Sequence, residues 1–527
     1  MAGSTVVNKC RLVGILTTFL ALLVEQCESA NILLAPYPYV SHIAQSMTVG
    51  SGLKERGHSV SILLPESYRG LDAIREKMAV IAYVVKYPDY YSNEGIEAGW
   101  KEDAPSMTPI EEMRTYIDGF IQLCTNPLED ETLPGKLRRL QLDLAIVDGF
   151  PGTWCLYIIM YKLGVPYVSL TTEYEAWMWR NPVLPSFVPF PLAGVFTERM
   201  TLVERIQNLI TLIDWTAWPR VPYMEDSFVR KYLPENTEVT YSWLAARSLL
   251  WLIDTDVAID YARPTMANEI YVGGLSTRPA RPLSAELESF ANGNSKGFIV
   301  VSFGSTGILD DEKSFGVLMS AFALLEQRII WKYSGDIPAT WSLKIPPNVL
   351  LMKWLPQNDL LGHRNCRLFV THCGANSQFE ALYHAVPMLG IPVFGDQPYN
   401  ARRMQYLEYG RFTELHAVTS DDLVSLIREI ISNASYLENV RRGSAIFKDR
   451  PQTPQERAVW WVEHVLRYGG RHLHSIALDM PWYEYLMLDI LLVLVILPLV
   501  FATSVLTCCA VWIFYRRHAP NIKQKTN

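Results

Sequence analysis

The chain has no CxxC pair, no short-period repeat and no concentration of positive charge, and each absence removes a class of protein. Without cysteines at metal spacing, a zinc ribbon or a dithiol redox motif is excluded. Without an internal repeat, solenoids and propellers are excluded. The 47 Lys and Arg are scattered and outnumbered by 54 Asp and Glu, for a net charge of -7, so the electrostatic footprint of a nucleic-acid binder is missing. At 527 residues the chain exceeds what one hydrophobic core usually serves, and at least two packed domains are expected.

What the sequence does have is an apolar run at each end. Lys9 and Arg11 precede Leu12 to Val24, which is broken only by Gly14, Thr17 and Thr18, and the small residues Cys27, Ser29 and Ala30 follow. That order is a signal peptide over residues 1–30, and the run is shorter than the ~20 residues a bilayer demands. Ile490 to Phe514 is apolar apart from Pro498, Thr503, Ser504 and Thr507, long enough to cross a membrane. Arg516, Arg517, His518, Lys523 and Lys525 come directly after it, which orients the tail, 515–527, to the cytosol and everything before the span to the lumen. The expected topology is single-pass type I, with 476–489 as a membrane-proximal segment. Lys523 and Lys525, fifth and third from the end, resemble the dilysine retrieval signal of endoplasmic-reticulum membrane proteins, a receptor-read address. Of eight cysteines, Cys124, Cys155, Cys366 and Cys373 fall in the lumen, where a disulfide such as Cys124 to Cys155 is permitted but not demanded. Asn433-Ala434-Ser435 is a glycosylation sequon, expected in an accessible loop.

Between the ends the pattern alternates. Asn31 to Ala35 reads as a strand, Ile43 to Arg56 as a helix stopped by Gly57, and Ser59 to Leu64 as a second strand. Leu142 to Val147, Tyr157 to Leu163 and Pro166 to Leu170 repeat it, which makes residues 31–280 a doubly wound α/β domain. A second start follows at Phe298 to Phe303, with a strand at Arg328 to Lys332, so 281–475 is expected to hold its own sheet. Ser276 to Asn294, with Pro279, Pro282 and Gly293, is the linker candidate. Tyr174 to Pro222 is crowded with Trp177, Trp179, Phe187, Phe190, Trp215, Trp218 and prolines, which fits loops and short helices lining an apolar cleft.

The densest chemistry runs from Trp354 to Gln397. Trp354-Leu355-Pro356-Gln357 precedes an apolar strand that ends at Thr371; His372 and Gly374 form a turn, and Asn376 and Ser377 open a helix whose free amides make an anion site. Glu380 shares a helical face with Asn376 and Ser377, placed to accept hydrogen bonds from a diol beside a bound diphosphate. Asp396 and Gln397 follow, where the bland role for Asp396 is to cap the helix that Pro398 opens.

This ordered set resembles the signature of the UDP-glycosyltransferase family over nearly the whole chain. The resemblance implies two facing doubly wound Rossmann-like α/β domains of the GT-B type, followed by the C-terminal transmembrane helix. It implies that Trp354 and Gln357 hold uracil and ribose, that His372, Gly374, Asn376 and Ser377 form the diphosphate site, and that Glu380 binds ribose. Asp396 and Gln397 would then bind sugar hydroxyls, and Ser305 a turn near the phosphates. Cys373 departs from the glycine usual in the family's animal members, and a free thiol there is expected to bring sensitivity to oxidation.

In the first half, Ser41-His42 follows the first strand and Asp148 ends another, so both lie at carboxyl ends of a parallel sheet, where such folds bind ligands. By the resemblance His42 is the base that takes the acceptor hydroxyl's proton and Asp148 its orienting carboxylate. The implied reaction is inverting transfer of a sugar, glucuronate first, to a small lipophilic hydroxyl acceptor at the reticulum membrane, with the UDP-sugar as co-substrate and no cofactor or metal. Glucose, galactose, or a catalytically silent nucleotide-sugar-binding protein are the alternatives, and lateral self-association through the membrane segment stays open. Asp254-Thr255-Asp256 spells DxD, the manganese motif of another transferase fold, but lies far in sequence from the UDP motif.

Overall fold

A computed structural model describes residues 29–68, 70–86, 123–150, 153–172, 184–190, 196–217, 226–236, 238–304, 311–335, 337–338, 341, 344–393 and 395–518. Most of the expected signal peptide, Trp177, Trp179, Trp218, Ser305 and the tail lysines Lys523 and Lys525 lie outside the described residues, as does the side chain of Trp215.

Seven short strands form the first sheet: β1 Asn31–Ala35, β2 Ser59–Pro65, β3 Ala79–Tyr83, β4 Leu144–Asp148, β5 Tyr167–Thr171, β6 Trp251–Ile253 and β7 Glu269–Tyr271. All pairings are parallel, in the order β3-β2-β1-β4-β5-β6-β7. Strands buried on both faces carry unbroken apolar runs, and Ile32, Leu34, Ile62, Ile146, Val168 and Leu252 accordingly meet in one core. Helix α1 (Val40–Glu55) begins earlier than the Ile43 expected, from an extended Tyr39 whose side chain makes no cap. Its Gly50 lies so close to the sheet that an added Cβ would come within 2.5 Å of Leu34 Cδ1 and 2.8 Å of Met78 Cε. Any larger residue there would have to displace the ends of those two side chains. Cys124 and Cys155 form a disulfide with 5.1 Å between their Cα atoms.

The second sheet is also all parallel, in the order β10-β9-β8-β11-β12-β13: β8 Phe298–Ser302, β9 Arg328–Lys332, β10 Val349–Met352, β11 Cys366–Thr371, β12 Met388–Gly390 and β13 Gly410–Phe412. One face packs Phe315, Phe322 and Trp331, the other Phe298, Phe369, Phe379 and Phe447. Phe322 is fully buried, so truncation to Ala would cost about 3–5 kcal/mol. The helices that matter below are α2 (Gln357–Leu361), α3 (Ala375–Tyr383) and α4 (Gln397–Tyr406).

Three sequence expectations are corrected. The linker candidate Ser276 to Asn294 contains a helix, Ala285–Asn292, started by Ser284, whose hydroxyl accepts from Leu287 N. The aromatic stretch expected to form short helices includes the 16-residue helix Leu202–Ala217. Asn433 is exposed but joins two helices, its side chain capping Ala434–Lys448 instead of sitting in a loop.

Helix α5 (Pro454–Tyr468), within the span assigned from sequence to the second domain, returns to the first sheet. A capping box of Thr453 and Glu456 starts it, with Pro454 in the first turn where no N–H is missed. Its Ala458, Val459, Val462 and Val465 recur at helical spacing and enter the first core.

Residues 474–527 form a separate unit. Within it Leu488–His518 is one helix long and apolar enough to cross a membrane. A π-helical turn at Leu492–Ile496 precedes Pro498 and loosens the ladder where the proline ring would strike the carbonyl one turn back.

Candidate active site

Strand order reverses between β1 and β4, and the carboxyl ends there form a crevice. β1 runs on into α1, and β4 ends on Asp148. His42, in the first turn of α1, places Nδ1 2.8 Å from Asp148 Oδ2. A carboxylate only accepts, so Nδ1 carries the proton and the Nε2 lone pair is left for another partner. Asp148 is itself fixed by Tyr37 N on Oδ2 (3.0 Å) and Phe150 N on Oδ1 (2.9 Å). The rings of Tyr37, Tyr39 and Phe150 surround the imidazole at centroid distances of 5.4, 6.3 and 5.2 Å. Both titratable groups are buried, His42 to 8% and Asp148 to 3% exposure. Next to them Pro36, Pro38, Leu63, Tyr83 and Leu156 line a small apolar hollow.

The second sheet reverses between β8 and β11, and the signature residues gather at that edge. β11 ends at Thr371, and Gly374 is the N-cap of α3. The His372 ring lies against Gly304 and Gly374, where an added Cβ would meet Nε2 at 2.7 and 2.5 Å. Gly304 also has φ +88°, so only glycine suits it on both counts. Burial, and then the charge of Lys332, push the His372 pKa down to about 4, so the ring is neutral at pH 7. Gln357 Nε2 donates to Glu380 Oε2 (2.7 Å) and Ser377 Oγ (3.2 Å). Burial raises the Glu380 pKa to about 7 against that hydrogen bond. Trp354 is 63% exposed, which leaves ring surface for a planar group to stack on.

Lys332 was missed in the sequence. It ends β9, is buried, donates to Gly304 O and lies 5.4 Å over the Trp354 ring, and burial lowers its pKa to about 8. Its one sequence signal is a lysine closing the apolar run Ile329-Ile330-Trp331.

The two edges meet. Burial raises the Asp396 carboxyl to about 6, and His42 is near enough to act on it electrostatically. Asp396 makes no capping bond; Oδ2 accepts from Asn400 Nδ2 at 2.5 Å. Gln397 is buried and its Oε1 accepts from Val393 N (2.9 Å). Gln45, on α1, donates to both Asp254 Oδ2 (2.5 Å) and Asn376 Oδ1 (2.9 Å). The DxD carboxylates diverge: Asp254 turns to Gln45 and to Gly274 N, whereas Asp256 accepts from Ala258 N and faces Arg450.

Cys373 needs a correction. Its thiol is fully buried and desolvation pushes its pKa up to about 12, so it is not the oxidisable group expected.

The family model described as "UDP-glucoronosyl and UDP-glucosyl transferase" matches residues 30–525. UDP-glucuronosyltransferase 2A3 of Cavia porcellus is 33% identical over 474 residues, 86% of this chain and 87% of that protein. The 2-hydroxyacylsphingosine 1-beta-galactosyltransferase of Mus musculus is 33% identical over 478 residues, covering 88% and 85%. Among solved structures, a UDP-glucosyltransferase from Polygonum tinctorium capable of glucosylating indoxyl superimposes with a TM-score of 0.57 at 16% identity, covering 83% of this chain and 99% of that one. The two facing parallel sheets are the GT-B fold, and the chain belongs to the UDP-glycosyltransferase family.

Proposed function

We propose that the protein transfers a sugar from a UDP-sugar to a hydroxyl of a small lipophilic acceptor with inversion at the anomeric carbon. The observation that carries this is the His42–Asp148 pair on one sheet edge, with Asp396 within electrostatic reach of His42 and Gln45 of the same helix bonded to Asn376 on the other edge. His42 Nε2 takes the acceptor's proton as its oxygen attacks, and Asp148 stabilises the resulting imidazolium. The bond from the anomeric carbon to the diphosphate oxygen breaks on the opposite face. Charge growing on the leaving diphosphate meets the amides at the start of α3, neutral His372 as a donor, and the Lys332 ammonium. Uracil stacks on Trp354, and Gln357 and Glu380 receive uracil and ribose. In this scheme UDP-sugar is the co-substrate and no resident metal is called on.

For the sugar, glucuronate is the first expectation and glucose or galactose the alternatives; Asp396 and Gln397, proposed to hold it, meet hydroxyls other than the C6 substituent and do not separate the three. A panel of UDP-glucose, UDP-galactose and UDP-glucuronate with a phenol acceptor decides it, read by NMR for product anomer. We expect the β product, with UDP-glucuronate the preferred donor; higher kcat/KM with UDP-glucose or UDP-galactose would reverse the choice of sugar, and a retained α configuration would refute the mechanism.

The helix Leu488–His518 is proposed to anchor the protein in the reticulum membrane, with the catalytic domains luminal and Arg516 and Arg517 at the cytosolic face.

A further inference from the structure

Asp254 belongs to the DxD run, which has no part in the transfer scheme, yet it is 1% exposed and fully engaged. Oδ1 accepts from Gly274 N (2.6 Å) and Leu275 N (3.4 Å), and backbone amides can only donate. Oδ2 receives Gln45 Nε2 at 2.5 Å. Burial pushes the Asp254 pKa up to about 6, which still leaves it ionised, and so an acceptor only, at pH 7. Gln45 must therefore turn its NH2 end toward Asp254. The same Nε2 donates to Asn376 Oδ1 at 2.9 Å, so Asn376 must turn its oxygen toward Gln45. Its Nδ2, the donating end, is what remains for a ligand at the start of α3.

The geometry points to Gln45 and Asp254 as positioning residues that fix the amide of Asn376 with its donor turned to the diphosphate of the UDP-sugar. This rests on the donor site proposed above. The relay begins on the first sheet and ends on the second. Gln45 stands three residues after His42 on α1, on the same side of that helix, so one element carries both the base and the group that orients the donor site. An Asn376 free to rotate would present the diphosphate with an oxygen about as readily as with a nitrogen, and two acceptors face to face repel.

The replacement Asp254→Asn separates orientation from packing. Its oxygen must still meet the Gly274 and Leu275 amides, which turns its new NH2 toward Gln45. Gln45 then reverses, and its oxygen claims Asn376 Nδ2. Volume is unchanged, but the donor is withdrawn from the ligand. Gln45→Met breaks the same relay without altering the carboxylate, and carries the test alone if Asp254→Asn does not fold.

Calorimetry on the full-length protein in lipid nanodiscs, with UDP and with uridine as probes, reads this directly. Asp254→Asn is expected to bind UDP about tenfold more weakly than wild type, the scale of one lost hydrogen bond to a charged group, and Gln45→Met about twofold more weakly, the scale of an amide free to present either end, with uridine affinity unchanged in both. KM for the UDP-sugar should rise by the same factors. Wild-type UDP affinity in both variants would overturn the inference, and so would a fall in uridine affinity equal to that for UDP, which marks general damage. The control is Asn376→Leu. If it binds UDP as wild type does, or if wild type binds UDP no better than uridine, the donor site itself is misassigned.

Discussion

At Glu380 two forces oppose each other: burial lifts the carboxyl to about 7, and the Gln357 amide pulls it down. A ribose diol donating to the carboxylate would add to the downward pull, so the bound state favours ionisation. Binding then releases a proton, and affinity for a UDP-sugar rises as pH climbs through about 7, falling roughly tenfold per unit below it until the bound-state pKa is reached. A UDP-sugar is the right probe because its diphosphate does not titrate in that window. Glu380→Gln should flatten the profile, and a flat wild-type profile would remove the ribose contact. Cys373 makes a different residue-scale prediction. Its φ of 66° is a left-handed conformation that costs a side chain about 1–2 kcal/mol, held by packing of the thiol beneath Gly390 and β12. Alkylation of the native protein with iodoacetamide, read by mass spectrometry, should leave Cys373 unmodified until denaturant is added. Modification at the rate of a free thiol would show the turn opens.

At the scale of elements, α4 is bolted to the first half of the chain. Asp260 accepts from Arg263 Nη2 (2.7 and 2.8 Å) and from Tyr399 OH (2.8 Å), while Arg403 donates to Asp260 O (2.9 Å) and stacks its guanidinium 4.2 Å over Tyr261. Because α4 begins directly after Asp396, this network sets where the proposed sugar contacts lie. Asp260→Ala takes the carboxylate from a guanidinium whose side chain is 5% exposed and should destabilise the protein by about 3 kcal/mol, seen as a lower thermal midpoint. A midpoint unchanged from wild type would show that the network orders the interface without stabilising it. The strands were legible because a parallel strand buried on both faces must be an unbroken apolar run: Asn31 to Ala35 and Arg328 to Lys332 match the structure residue for residue. The order of His372, Asn376 and Glu380 was legible too, since a strand, turn and helix start place those residues by local geometry, while Trp354 entered only through the family resemblance. Lys332, Gln45 and Asp260 were not, because their meaning lies in partners reached only through the tertiary fold, as Gln45 and Asn376 are 331 positions apart. Nor does the apolar stripe of α5 say that its core belongs to the first sheet.

On the scale of the whole molecule, the long helix of the second unit is the proposed membrane anchor. If Leu488–His518 crosses the bilayer, arginine at its centre is opposed by about 2.5–3.5 kcal/mol per residue. The double variant Val500→Arg, Leu506→Arg should therefore pass from the membrane pellet to the supernatant on alkaline carbonate extraction, where wild type stays in the pellet. Retention of the variant would mean that another part of the chain supplies the anchor. The central claim, however, concerns the pair that joins β1 to β4. It is tested by single-turnover sugar transfer in His42→Ala with UDP-sugar binding measured in parallel. Loss of the base should lower the chemical rate by about 10²–10⁴-fold with donor affinity unchanged, whereas a variant that transfers sugar at the wild-type rate would contradict the assignment.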